Sequence, residues 1–235
     1  IITPRFVPSC TSVLMEGLAK LAKEYDVPVQ SHLSENHGEI DWVASLHPES
    51  SNYTDVYYEH HLMGTVPTVM AHCIHLSDVE MDRMAETQTM VSHCPYSNVN
   101  LSSGIAPIRK LIERNIPIGL GSDISGGHIV SMAKVLTEAI GLSKMKWAEV
   151  DPNYAPLTLS EAFYMATKGG GQFFGHVGSF EKGYELDALI IDDTSLFDPN
   201  ERSLEERLER WLYVGDDRHI IERYVAGRVV PSPKG

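Results

Sequence analysis

The chain has 235 residues, 43% hydrophobic and 22% charged, proportions that suit one or two packed domains rather than a disordered tract. Its formal charge of −13 argues against a nucleic-acid partner, because no cluster of Lys and Arg offsets that sign against a phosphate backbone. No apolar run reaches the roughly 18–20 residues that cross a bilayer and no charged-then-apolar signal segment opens the sequence, so the reading is a cytoplasmic protein with neither nucleic-acid nor membrane partners.

Ile1-Ile2-Thr3-Pro4 carries no initiator methionine and reads as the middle of a domain. Ser9 to Tyr25 then places Leu14, Leu18, Leu21 and Ala22 at helical spacing. Pro28 ends that region and opens a first strand, Val29-Gln30-Ser31, that runs into His32. A second apolar run, Thr68 to Ala71, ends in His72. Ser77-Asp78-Val79-Glu80 is a capping box, with Met81 and Met84 expected to face the core behind it. The run Thr89 to Ser92 ends in His93, and Pro95 to Asn98 reads as a polar turn. Ile105, Ile108, Leu111 and Ile112 mark a helix. The run 117–122 is a fourth strand and ends in Asp123, and a helix is expected over Val130 to Ser143.

After a loop near Trp147 to Pro156, Thr158-Leu159-Ser160-Glu161 is a second capping box. It opens a helix toward Lys168, and Gly169-Gly170-Gly171 reads as a flexible cap rather than a phosphate cradle, since no strand leads into it. Leu186 to Ile191 reads as a buried strand, Ser203 to Leu212 as an amphipathic helix, and Tyr224 to Val230 as a hairpin. Alternating strands and helices imply parallel strands with helical crossovers. A closed barrel and an open doubly wound sheet both fit. The lack of a glycine-rich phosphate loop weakens the second. Cys10, Cys73 and Cys94 form no paired motif and read as reduced thiols, the last two buried behind strand-end histidines.

Three histidines and an aspartate thus end four strands, where parallel barrels build their sites. Imidazole nitrogen and carboxylate oxygen are zinc donors, and water on such a metal becomes a hydroxide source near pH 7. An Asp beside it can take the water's proton. His93 taken alone reads as a core histidine with a structural hydrogen bond. Glu35, three residues past His32, reads equally as a proton shuttle and as an acid at a helix N-terminus.

Ser31-His32-Leu33-Ser34-Glu35, Ala71-His72-Cys73, Ser92-His93-Cys94-Pro95-Tyr96-Ser97-Asn98 and Gly119-Leu120-Gly121-Ser122-Asp123 resemble the amidohydrolase superfamily, as do Gly178 to Gly183 and Asp187 to Ile191. Arg5-Phe6, Val99 to Gly104, Ser125-Gly126-Gly127 and Leu212 to Arg218 resemble the branch that hydrolyses guanine to xanthine and ammonia. The resemblance implies an α/β fold: the C-terminal half of a distorted (β/α)8 barrel over residues 1–180, with part of a small β-sandwich in 181–235. It implies one Zn²⁺ held by His32 and Asp123, with Asp123 also the base. His72 would orient the water and Glu35 would relay protons. Arg5 would hydrogen-bond the purine and Phe6 would pack on it, with His32, Glu35 and Asp123 also facing the substrate. A homodimer is implied as well. The family's His-x-His zinc pair is not in this sequence. The expectation is therefore a chain lacking the N-terminal part, inactive by itself. The alternatives are a sibling acting on another amino-heterocycle and a non-catalytic truncated chain.

Overall fold

The computed structural model describes residues 1–231. In chain order it forms α1 (Ser12–Tyr25), β1 (Val29–Leu33), α2 (His37–Leu46), α3 (Tyr53–Glu59), β2 (Thr68–His72), α4 (Asp78–Glu86), β3 (Met90–His93), α5 (Pro95–Asn100), α6 (Ile108–Glu113), β4 (Ile118–Leu120), α7 (Met132–Glu149), α8 (Leu159–Tyr164), β5 (Ala188–Ile191), α9 (Leu204–Val214), β6 (Ile220–Val225) and β7 (Arg228–Val229). Strands β1 to β4 pair in parallel in sequential order. That order has no reversal point, unlike the doubly wound alternative. Ile2 bridges to Val29, and Arg5 accepts from the His32 backbone N–H, so residues 2–5 extend the sheet beyond β1.

The two faces of this sheet differ. Val29, Leu33, Met70 and Val91 share one face by register and are fully buried. The other face carries Gln30, His32, Val69, Ala71, Met90, Ser92 and Gly119. Period-two alternation separates the two sets.

Both expected capping boxes form, at Ser77 with Glu80 and at Thr158 with Glu161, and a third stands at Ser203 with Glu206. Met81 and Met84 are buried as expected. Four local expectations change. In α1 the buried stripe is Met15, Ala19 and Ala22, whereas Leu14 is 47% exposed and Leu21 faces out as well. Pro95 to Asn98 is the start of α5, since Pro at the first helical position needs no N–H partner. The expected loop at Trp147 begins later, because α7 runs to Glu149. Gly169 to Gly171 are neither cap nor cradle. The π-helical turn Met165–Gly169 packs on β4, where a Cβ on Gly169 would lie 2.9 Å from the Ile118 carbonyl oxygen. Glycine is there for close approach.

Strands β5, β6 and β7 form a separate antiparallel sheet. Its β6–β7 hairpin turns through Ala226 and Gly227, both at positive φ (49° and 73°), as a two-residue primed turn requires. The expected buried strand at 186–191 is instead uncovered: Leu189 is 51% exposed. Helix α9 ties this region to the rest, with Trp211 and Leu212 in the common core and Lys134 Nζ donating to the Leu212 and Tyr213 carbonyls. Among the described residues no helix is long and apolar enough to cross a membrane.

Candidate active site

Three of the four strand-end residues meet at one cavity, and His93 is not among its lining residues. His32, His72 and Asp123 line a cavity of about 290 Å³ together with Arg5, Phe6, Glu35, Asn36, Glu39, Leu101 and Gly126. Parallel register pairs His72 with Leu33 rather than His32, so strict alternation would send the two rings to opposite faces. The left-handed φ of 71° at His72 ends the pleat, and its ring stacks on His32 at 5.3 Å. Ser34, Cys73 and Asp123 also sit at positive φ. Such backbone costs roughly 1 kcal/mol or more per non-glycine residue and gathers at functional sites.

Hydrogen bonds decide which ring nitrogens face the cavity. His32 Nδ1–H donates to the Arg5 carbonyl at 2.6 Å, leaving Nε2 with its lone pair. His72 Nδ1–H donates to Asn98 Oδ1 at 3.0 Å. Its Nε2 is buried with no hydrogen-bond partner and lies 3.7 Å from Glu35 Oε2 and 4.0 Å from Asp123 Oδ2. Gly126 makes room for that carboxylate: a Cβ there would fall 2.5 Å from Asp123 Oδ2. The guanidinium of Arg5 lies 5.1 Å from the Phe6 ring centre, and Phe6 packs edge-on against Trp42.

Glu35 lies before the N-cap of α2, which is Asn36, so the helix-acid reading does not describe it. The first-turn acid is Glu39. Its buried carboxylate accepts from the Glu35 backbone N–H at 2.9 Å and from the Tyr53 hydroxyl at 2.7 Å. The Tyr57 hydroxyl donates to the His32 carbonyl. Glu39, Asn98 and Ser103 are site residues to which the sequence reading gave no role, although Asn98 and Ser103 lie inside the motifs it quoted. Asn36-x-x-Glu39 did carry a cap-like signal, but nothing in the spacing joins Ser103 to Glu35 Oε1, 68 residues away.

His93 is buried, but its Nδ1 lacks a hydrogen-bond partner, so the structural hydrogen bond expected of it is not seen at that atom. Burial, and then the neighbouring His72, push its pKa down to about 3. The ring is neutral at pH 7. Cys10, Cys73 and Cys94 are free thiols. Burial raises the Cys73 pKa and pushes Cys94 up to about 12, so neither of these two is poised as a thiolate ligand. Among the described residues no group of three or more His, Cys, Asp or Glu side chains is placed to hold a metal.

The comparisons with known proteins point to one family. The sequence is 44% identical over 237 residues to guanine deaminase from Dictyostelium discoideum, which covers 98% of this chain and 52% of that protein. The crystal structure of guanine deaminase from C. acetobutylicum, with guanine bound in its active site, superposes at a TM-score of 0.95 and 54% identity, covering 98% of this chain and 55% of that one. E. coli guanine deaminase superposes at 0.90 and 36% identity, covering 99% and 54%. The chain therefore spans about half the length of the curated relatives it matches. The amidohydrolase family itself matches residues 1–230, and with its parallel sheet and strand-end histidines the chain belongs to that family.

Proposed function

We propose that this chain supplies the C-terminal half of a zinc-dependent guanine deaminase, which hydrolyses guanine to xanthine and ammonia. The observation that carries this reading is the convergence of Arg5, Phe6, His32, Glu35, His72 and Asp123 on one cavity at the strand ends. On this reading residues 1–180 are half of a (β/α)8 barrel, with the His32 face of β1–β4 turned inward. Residues 181–235 contribute strands to a β-sandwich. The complete protein is a cytoplasmic homodimer.

The donors present fit zinc in kind and fall short in number. A ligating histidine usually gives its other N–H to a carbonyl or carboxylate, and His32 does so to Arg5. Gly126 leaves Asp123 Oδ2 accessible beside it. Catalytic zinc needs at least three protein ligands. His32 and Asp123 would be two, and a His-x-His pair in the part of the relatives this chain does not span would supply the rest.

Bound there, zinc would supply Lewis-acid activation of water at neutral pH. The chain's own residues account for the proton movements. Asp123 takes the water's proton at Oδ2. His72, held through Asn98, turns Nε2 toward the same space and orients the water. Glu35 delivers a proton to a purine ring nitrogen and regains the proton that Asp123 took from the water; it passes that proton to the amino group, which leaves as ammonia, and the proton of the added hydroxyl returns to Glu35 as the new carbonyl forms. Arg5 hydrogen-bonds the purine carbonyl and Phe6 packs on the ring. Developing charge therefore meets groups already in place.

Replacing Arg5 by Ala in the full-length protein tests the reading. KM for guanine should rise at least about tenfold, the effect of losing one charged hydrogen bond, with zinc content unchanged. Unaltered guanine kinetics would remove Arg5 from the pocket. Hydrolysis of a different amino-heterocycle in place of guanine would favour a sibling activity.

A further inference from the structure

The segment from Asn98 to Gly104 touches both Glu35, the proton carrier, and His72, the water-orienting ring. The Asn98 side chain holds His72 Nδ1. The Asn98 backbone carbonyl accepts the Ser103 N–H at 2.8 Å. The Ser103 hydroxyl donates to Glu35 Oε1 at 3.0 Å. The Ser103 carbonyl accepts His75 Nε2–H at 2.8 Å. Burial lowers the His75 pKa, so at neutral pH the ring carries one N–H, and that carbonyl takes it. His75 is itself packed at 4.0 Å against His37 in α2. Ser103 is thus buried and fixed at its N–H, its carbonyl and its hydroxyl.

The two oxygens of Glu35 therefore have unequal surroundings. Oε1 is tied to Ser103, whereas Oε2 faces His72 Nε2 across 3.7 Å. The backbone N–H of Glu35 is held separately by Glu39. The Ser103 hydroxyl is the one side-chain hydrogen bond found on the carboxylate among the described residues.

We propose that Ser103 is a positioning residue for the deamination. By anchoring Oε1 it holds the Glu35 carboxylate in the rotamer that presents Oε2 to the substrate. Because the same short segment holds His72 through Asn98, it sets the spacing between the proton carrier and the water-orienting ring. Leu101, between them, lines the cavity, so this wall and the catalytic carboxylate are aligned by one piece of chain. The inference rests on the reading of Glu35 as proton carrier.

The test is a double-mutant cycle in the full-length protein, with guanine as substrate. Ser103→Ala should lower kcat by about 10- to 100-fold, the effect of a misplaced catalytic group, and leave KM within about threefold. Zinc content should not change. Ser103→Thr, which keeps the hydroxyl, should recover most of kcat. Ser103→Cys, close in shape but a weak donor, should resemble Ala, which separates the hydrogen bond from packing. In a Glu35→Gln background Ser103→Ala should cost little more, because it acts through the same carboxylate. Full additivity of the two losses, or unchanged kcat in Ser103→Ala and Ser103→Cys, would overturn the positioning role while leaving Glu35 in place. Wild-type turnover by Glu35→Gln alone would overturn both.

Discussion

The two sheets of this protein treat their apolar residues in opposite ways. In β1–β4 Val29, Leu33, Met70 and Val91 lie on one face and are fully buried, while the other face carries Val69, Met90, Ala71, Ser92 and Gly119 and ends in the polar rim. In β5–β7 comparable residues stand in the open, with Ile221 55% exposed and Val225 and Val229 also uncovered. Burying a Val, Leu or Ile side chain is worth roughly 1.5–3 kcal/mol. The first sheet gains most of that stabilisation within this chain, whereas the second gains it only at Ile191 and Ile220, which pack on the common core. The parallel sheet thus holds its rim on one buried apolar face. The antiparallel sheet presents an apolar surface of the kind that marks an interface.

The contrast is sharpest in the response to truncation. Met70→Ala, at a fully buried position of β2, should destabilise the chain by about 2–5 kcal/mol, the range for emptying such a core site, measured by urea unfolding.

A smaller effect is expected from His93, buried in the first sheet with its pKa pushed down to about 3 by burial. The unfolded chain takes up this proton near the ordinary histidine value and the folded chain does not. Stability from this residue is therefore complete above about pH 6.5 and declines as pH falls toward 3, by at most about 1.4 kcal/mol per pH unit. His93→Gln should flatten the loss of thermal stability between pH 7 and pH 5. An unchanged slope would show that the folded ring takes up protons as readily as the unfolded one.

The smallest effect should come from the second sheet. Ile221→Thr should change stability by less than about 0.5 kcal/mol, as surface changes do, while reducing self-association in light scattering. A loss comparable to that of Met70→Ala would abolish the distinction between the sheets.

The rim was legible because it depends on short-range signals. Each strand is a few apolar residues followed by a polar one, and crossovers through helices leave parallel pairing as the consistent solution. His32, His72 and Asp123 could be placed in this way. The helix caps were legible too, since Ser77 with Glu80 and Thr158 with Glu161 act within one turn. What escaped depends on contacts distant in sequence. The buried stripe of α1 uses Met15 and Ala19 rather than Leu14 because the helix is rotated by what it packs against. The Gly169–Gly171 run reads as flexible until β4 lies against it. Leu189 and Ile190 spell a buried strand, yet nothing among the described residues covers them. Of the two supports of Glu35, Glu39 is only four residues away, whereas Ser103 is 68 residues away and reaches it only in the folded chain.

The central claim is that this chain holds half of a metal site. The direct measurement is zinc content by mass spectrometry alongside guanine hydrolysis, on the 235-residue chain and on the full-length protein. The account predicts about one zinc and steady xanthine formation for the full-length protein, as a mononuclear catalytic site requires. For the chain alone it predicts substoichiometric zinc and no turnover. Stoichiometric zinc and xanthine formation by the chain alone would contradict it.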